Sequence, residues 1–197
     1  MGKLYRLVVS GPSAVGKTSM IEQCIYGNYT SKGPSDFFPT YEDTYNAVVE
    51  TDRGTKEKVR IYELGGKAKI ERHFVNCADV FILVYDIGDV RTLHAVQMLK
   101  RQLEECRGKR EIFFVFCGNK ADKPKDPSLD SASLSDWAQR ERVHLFETSV
   151  LDRQALCNVL TWIVSRVTQS PGKSSFPFGK KESRPFVNVA GAKSEAE

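Results

Sequence analysis

Residues 4–20 read LYRLVVSGPSAVGKTSM, and this stretch decides the fold. Leu4–Ser10 is an apolar-rich run of strand length, and Lys17–Tyr26 has the spacing of a helix. Between them, Gly11-Pro12-Ser13-Ala14-Val15-Gly16-Lys17-Thr18 fits the pattern G-x-x-x-x-G-K-S/T, a glycine loop joining a strand to a helix. The chemistry of such a loop is phosphate binding. Glycines let the backbone curl so that successive N–H groups point inward, and the helix start adds positive potential. Lys17 reaches the β- and γ-phosphates, and the Thr18 hydroxyl is a Mg²⁺ ligand. Gly11, Ser13, Ala14, Val15, Gly16, Lys17, Thr18 and Ser19 form the expected phosphate-contacting set.

Beyond this loop, strand-like and helix-like segments alternate. Tyr45–Thr51 and Glu57–Glu63 alternate apolar with polar around a turn at Asp52-Arg53-Gly54, a hairpin signature. Val80–Tyr85 (VFILVY) and Ile112–Cys117 (IFFVFC) are continuous apolar runs, as in strands covered on both faces. Val143–Glu147 reads as a short sixth strand, and Arg91–Cys106, Ser133–Glu141 and Arg153–Val167 as helices. The expected fold is α/β: a six-stranded, mostly parallel sheet with one antiparallel edge strand and helices on both faces. Ligands of such sheets bind at the carboxyl ends of the strands. Trp137 and Trp162 fall on helices and read as core anchors.

The chain has 197 residues, 41% hydrophobic and 27% charged, which is ordinary for a folded domain. One domain over residues 1–168 and a flexible Ser/Lys/Pro-containing tail over 169–197 are expected. The net charge of +4 is shared between body and tail, too diffuse to indicate nucleic acid. The five cysteines are odd in number and widely spaced, so reduced thiols are expected. His73, His94 and His144 are scattered and read as structural or surface groups. No apolar run of about 18 residues suggests a membrane span, and no secretory pattern opens the chain.

Further motifs fall at strand ends. Asn119-Lys120-Ala121-Asp122 follows the fifth strand. Asp122 there can accept from both N1–H and the exocyclic amine of guanine, while adenine presents the wrong donors. The Lys120 stem can pack over the base. Glu147-Thr148-Ser149-Val150 ends the sixth strand, where backbone N–H groups of Ser149 and Val150 could meet the guanine O6. Thr40, within Phe38-Pro39-Thr40-Tyr41-Glu42-Asp43, is expected to join the metal shell when a γ-phosphate is present. Glu63, in Glu63-Leu64-Gly65-Gly66, is expected to hold Mg²⁺, and the Gly66 N–H to sense the γ-phosphate. The metal set is therefore Thr18, Thr40 and Glu63.

This order of motifs resembles the Ras-family small GTPases from about Leu4 to Val167. Within that family, Ile25-Tyr26-Gly27-Asn28, Glu50-Thr51-Asp52-Arg53-Gly54, Gly118-Asn119-Lys120, Ser149-Val150-x-Asp152-Arg153 and Lys173-Ser174-Ser175-Phe176-Pro177 are similar to the kappaB-Ras group, the NF-kappa-B inhibitor-interacting Ras-like proteins. The resemblance implies a P-loop small G domain that binds GTP/GDP with Mg²⁺. It implies IkappaB-type inhibitor proteins as partners, restraint of NF-kappaB signalling, and GTPase-regulatory proteins as further partners. It places Tyr29 over the guanine, and Lys17, Thr40, Gly66 and residue 67 in the catalytic set. Composition and periodicity say nothing about the IkappaB partner.

The chain departs from the family pattern where turnover is set. Ras-like enzymes carry Asp-x-x-Gly-Gln; here the acid is Glu63, one methylene longer, and the glutamine is replaced by Lys67. Lysine has no acceptor, so it cannot orient water by both donating and accepting. Ser13 and Ala14 stand where Ras has glycines. They crowd the approach of an arginine finger, a device worth ~10³–10⁵ in turnover. Slow hydrolysis is expected. The final residues, Ser194-Glu195-Ala196-Glu197, hold no prenylation cysteine, and Arg6 stands where a myristoylation signal needs Ser or Thr. The expectation is a cytoplasmic monomer with no lipid anchor and no nucleic-acid partner. Three classes remain: a GTP-loaded binding module, a cycling GTPase switch with a different effector, and an ATP-dependent kinase, which Asp122 argues against. The expected effector surface is Phe38–Tyr45 with the loop Leu64–Val75, whose Lys67, Lys69 and Arg72 suit an acidic partner.

Overall fold

Every second residue of the central strands meets a different core, which is why their sequences are apolar throughout. In the computed structural model, which describes residues 3–27, 39–66, 70–108 and 112–169, the elements in chain order are β1 (Leu4–Ser10), α1 (Lys17–Tyr26), β2 (Glu42–Glu50), β3 (Lys56–Leu64), α2 (Arg72–Cys77), β4 (Val80–Asp86), α3 (Val90–Cys106), β5 (Phe113–Asn119), α4 (Ser131–Arg140), β6 (His144–Glu147) and α5 (Arg153–Thr168). They form one six-stranded sheet in the order β2-β3-β1-β4-β5-β6. All pairs are parallel except β2 with β3. The expected α/β architecture with a single antiparallel edge strand is therefore present.

On one face, Leu7, Val9, Ile61, Val84 and Val115 pack with Met20 and Ile21 of α1 and Leu156, Ile163 and Val164 of α5. On the other, Val8, Phe81, Leu83 and Phe116 pack with Phe74, Leu93, Val96 and Leu134 from α2, α3 and α4. Each such fully buried side chain contributes roughly 1.5–3 kcal/mol of transfer free energy. Trp137 meets Phe116 edge-on at 5.2 Å between ring centroids, and Trp162 packs on Phe146 at 5.0 Å and His144 at 4.7 Å. Both tryptophans are packing anchors. The five cysteines are thiols; Cys24 and Cys157 meet across α1 and α5 with the sulfurs 3.8 Å apart.

Two differences from the sequence reading have simple causes. Strand β2 begins at Glu42 because Glu42, Asp43 and Thr44 pair with Leu64, Glu63 and Tyr62. These residues lie exposed on the sheet edge, so no apolar alternation announces them. Helix α2 spans only six residues and buries Phe74 and Val75, too few to show a period. The residues of the expected tail lie outside the described residues, apart from Gln169.

Because β1 is central and its neighbours β3 and β4 are reached in opposite directions, the loop after β1 sits where the sheet order switches. That crevice at the strand carboxyl ends is the favoured ligand position of doubly wound sheets.

Candidate functional site

The loop Gly11–Gly16 leaves β1 and turns directly into α1. Gly16 has φ 92°, and a Cβ there would lie 2.5 Å from Asn119 Nδ2, so only glycine suits the turn. Ala14 holds φ 64° without being glycine, and Lys120 holds φ 66°. Two non-glycine residues in the left-handed region at one site mark backbone that its surroundings hold in place. Helix α1 has no side-chain cap, so its first amides are open to a ligand.

Lys17 is 6% exposed. Its Nζ donates to the carbonyls of Gly11 (3.0 Å) and Pro12 (2.9 Å). Burial holds its pKa below the usual lysine value, against the pull of Glu63. Glu63 is 1% exposed. Burial raises its carboxyl pKa, opposed by the Thr18 hydroxyl, Lys17 and Tyr45. A desolvated ammonium and a desolvated carboxylate thus stand close together without an ion pair between them. Each gains most from an external partner of opposite charge.

The three expected metal ligands converge. The Thr18 hydroxyl donates to Glu63 Oε1 at 2.5 Å, and Thr18 Oγ1 lies 3.1 Å from Thr40 Oγ1. Three hard oxygen donors, one of them a buried carboxylate, suit Mg²⁺ better than softer metals. Gly65 and Gly66 hold this cluster against the loop. The Gly65 N–H donates to the Tyr41 carbonyl at 2.8 Å. A Cβ on Gly65 would meet the Thr40 carbonyl oxygen at 2.0 Å, and one on Gly66 the Ser13 amide nitrogen at 2.1 Å. Ser13 and Ala14 are themselves exposed, and Ser19 is half-buried in the first turn of α1.

At the end of β5, Asn119 is 1% exposed and donates Nδ2 to the Val15 carbonyl at 2.9 Å. Its Oδ1 is the one buried side-chain polar atom without a partner among the described residues. An orphaned acceptor of this kind fits a site completed by a ligand. Lys120 Nζ donates to the Ala14 carbonyl (2.8 Å) and to Asp86 Oδ2 (2.6 Å), tying the phosphate loop to the strand ends. The Ser149 hydroxyl donates to Asp122 Oδ1 at 2.5 Å and accepts from the Leu151 N–H at 3.1 Å. These bonds fix the carboxylate expected to read guanine and bring Ser149 beside it, with Val150 following in the chain. Tyr29, Lys67 and Lys69 lie outside the described residues.

Two site residues escaped the sequence reading. Asp86 is the carboxylate that anchors Lys120; its only advance signal is that it ends an apolar strand in register with Asn119. Tyr45, 6% exposed, donates toward Glu63 Oε2 (3.4 Å) and Asp43 Oδ2 (3.3 Å) and so backs the Glu63 carboxylate. The sequence shows it only as an apolar position of the hairpin and the end of the expected effector surface Phe38–Tyr45.

The sequence matches the family model described as Ras family over residues 6–169. It is 38% identical over 184 residues to NF-kappa-B inhibitor-interacting Ras-like protein 2 of Homo sapiens, covering 92% of this chain and 95% of that protein. It is 38% identical over 185 residues to the Homo sapiens protein 1 of the same name, again covering 92% and 95%. With the NF-kappa-B inhibitor-interacting Ras-like protein of Drosophila melanogaster it shares 34% identity over 186 residues, 90% of each chain.

Proposed function

This chain belongs to the Ras family, and on that premise we propose that it is a GTP-binding regulatory module with slow GTP hydrolysis. Guanine-nucleotide binding and GTPase-type chemistry come with the family. The observation that carries the reading is the buried pair Lys17 and Glu63 with the half-buried Thr18 and Thr40, on the same row of strand ends as the Asp122–Ser149 pair.

In this reading Lys17 exchanges the Gly11 and Pro12 carbonyls for phosphate oxygens. Thr18, Thr40 and Glu63 would hold Mg²⁺, which would supply positive charge against the phosphates. The Gly66 N–H contacts the γ-phosphate. Asn119, Lys120 and Asp122 orient and select guanine, with Ser149 fixing the Asp122 carboxylate. Hydrolysis joins a water oxygen to the γ-phosphorus and releases GDP and phosphate. Lys67 attracts the phosphate as a point charge but accepts no hydrogen bond from the water, so the water is poorly oriented.

The proposal extends to the partner. The relatives' names state an interaction with NF-kappa-B inhibitors, and the same chemistry is assigned here: association with an IkappaB-type protein in the cytoplasm, restraining NF-kappaB signalling. Chromatography of nucleotide released from the purified protein, followed over hours with Mg²⁺, tests the enzymatic part. GTP that is slowly lost is expected, and Lys67→Gln should speed the loss. Prompt conversion to GDP overturns the slow reading and restores a cycling switch. Capture by an immobilised IkappaB protein, compared between GTP- and GDP-loaded samples, tests the partner separately.

A further inference from the structure

Strand β3 carries a row of cations on one face. Lys56, Lys58 and Arg60 alternate with Val59 and Ile61, which are buried toward α1 and α5. The register sets Arg6 of β1 directly beside Arg60, and sets Asn46 and Val48 of β2 beside Arg60 and Lys58. The same face is covered at Tyr62, where Phe74 of α2 meets it with ring centroids 5.4 Å apart. Toward the amino end of β3, Lys56, Lys58, Asn46 and Val48 are exposed, Val48 at 63%. This is the end of the strand away from Glu63 and the nucleotide loops.

Four cations line this face against one carboxylate in the register, Glu50. Among the described residues, Arg6, Lys56, Lys58 and Arg60 form no ion pair; Asp79 pairs with Lys3, and Arg60 Nε donates to the neutral Asn46 Oδ1 at 3.0 Å. Glu50 faces Lys56 in the register without an ion pair forming. Like charges side by side on paired strands destabilise a sheet. Arg6 beside Arg60 breaks this local rule, and such breaks are expected where a surface is kept for function.

We infer that this face is a docking strip for an acidic, extended segment of a partner protein. Same-face residues of an extended chain recur at about 6.6–6.8 Å, so carboxylates at alternate positions of such a segment fall in step with Lys56, Lys58 and Arg60. The guanidinium groups of Arg60 and Arg6 add forks suited to carboxylates, and Val48 supplies an apolar contact. The chain's own tail has the wrong sign, since residues 170–197 hold five basic and three acidic residues. A second copy would set the row against equally cationic protein of net charge +4. A single row of charge fits a linear partner better than a lipid surface. The inference stands apart from the nucleotide reading, because the strip runs from the amino end of β3 to its middle and stops short of Glu63.

The test uses the full chain loaded with GDP and a fluorescein-labelled peptide of alternating Glu and Ser, read by fluorescence anisotropy. Binding that weakens with salt is expected. Lys58→Glu with Arg60→Glu should weaken it by about tenfold or more, as reversal of two charge contacts requires. Arg101→Glu on the exposed side of α3 should leave it unchanged. The neutral pair Lys58→Gln with Arg60→Gln guards against misfolding and should also lose binding. Arg60→Gln alone should raise the thermal midpoint by relieving Arg6. Absence of peptide binding, binding as tight as the unsubstituted protein's by either double variant, or patch-dependent sedimentation with phosphatidylserine vesicles in place of peptide binding overturns the inference.

Discussion

Four long helices begin in two different ways. Helices α3, α4 and α5 start on their own aspartates: Asp89 accepts from the Arg91 N–H, Asp130 from those of Ala132 and Ser133, and Asp152 from that of Ala155. Helix α1 starts on Gly16 with no side-chain cap and follows it with a desolvated lysine. A helix end that supplies its own carboxylate is finished as structure. One that withholds it leaves positive N–H groups and a buried ammonium in search of an anion. The contrast separates residues that build this fold from residues that serve a ligand.

The most severe way to break the contrast is to give α1 a cap like the others. Gly16→Asp adds a Cβ into Asn119 and a carboxylate where phosphate is proposed to sit. Nucleotide should no longer copurify, as chromatography of the denatured protein would show. Lys17→Ala removes the buried charge and should weaken GDP binding by about 3 kcal/mol, the scale for truncating one partner of a buried charged contact; titration calorimetry reads it. Asp86→Ala frees Lys120 from its anchor and should cost about 2 kcal/mol in GDP affinity, the scale of a hydrogen bond to a charged group. Asp152→Ala should lower unfolding stability by about 1 kcal/mol in a denaturant titration. It should leave GDP affinity unchanged, and Asp152→Asn should recover most of the loss.

The smallest effect is a pH dependence. Hydrogen bonds from Arg91 hold Asp89, and those from Ser133 and Ala132 hold Asp130, below the usual carboxylate value of 3.8. A carboxylate depressed in the folded state stabilises it above the unfolded value and ceases to do so as pH falls through the folded one. Amide exchange in the first turns of α3 and α4, corrected for intrinsic rates, should therefore rise once the pH drops below 3.8. The first turn of α1 has no carboxylate cap and should lack this added step.

What could be read in advance follows the same division. The run Leu4–Ser10 and the loop after it announced a buried parallel strand and a phosphate cradle, because both are encoded by neighbours in the chain. Thr18, Thr40 and Glu63 were chosen from three separate motifs, and the fold brings their oxygens together. Asp86 and Tyr45 could not be chosen, since their roles depend on the β4–β5 register and on which face of β2 turns inward. The edge residues Glu42–Thr44 were invisible for another reason: pairing along a sheet rim is a backbone matter and leaves no apolar trace.

The hairpin β2–β3 has one more property. Nine register pairs run unbroken from Glu50 with Lys56 to Glu42 with Leu64. Thr40 lies just before one end of this ribbon, and Glu63 lies within that same end. The two oxygens that meet Thr18 therefore lie in or next to a single antiparallel unit, which also carries Arg60 at its middle and Lys58 toward its far end. Any ligand that twists or stiffens the ribbon must alter the spacing of Thr40 and Glu63 to alter nucleotide affinity. Thermodynamic reciprocity then requires nucleotide to change that ligand's affinity by the same factor. A grip on the remote strip and the occupancy of the crevice would be two readings of one equilibrium.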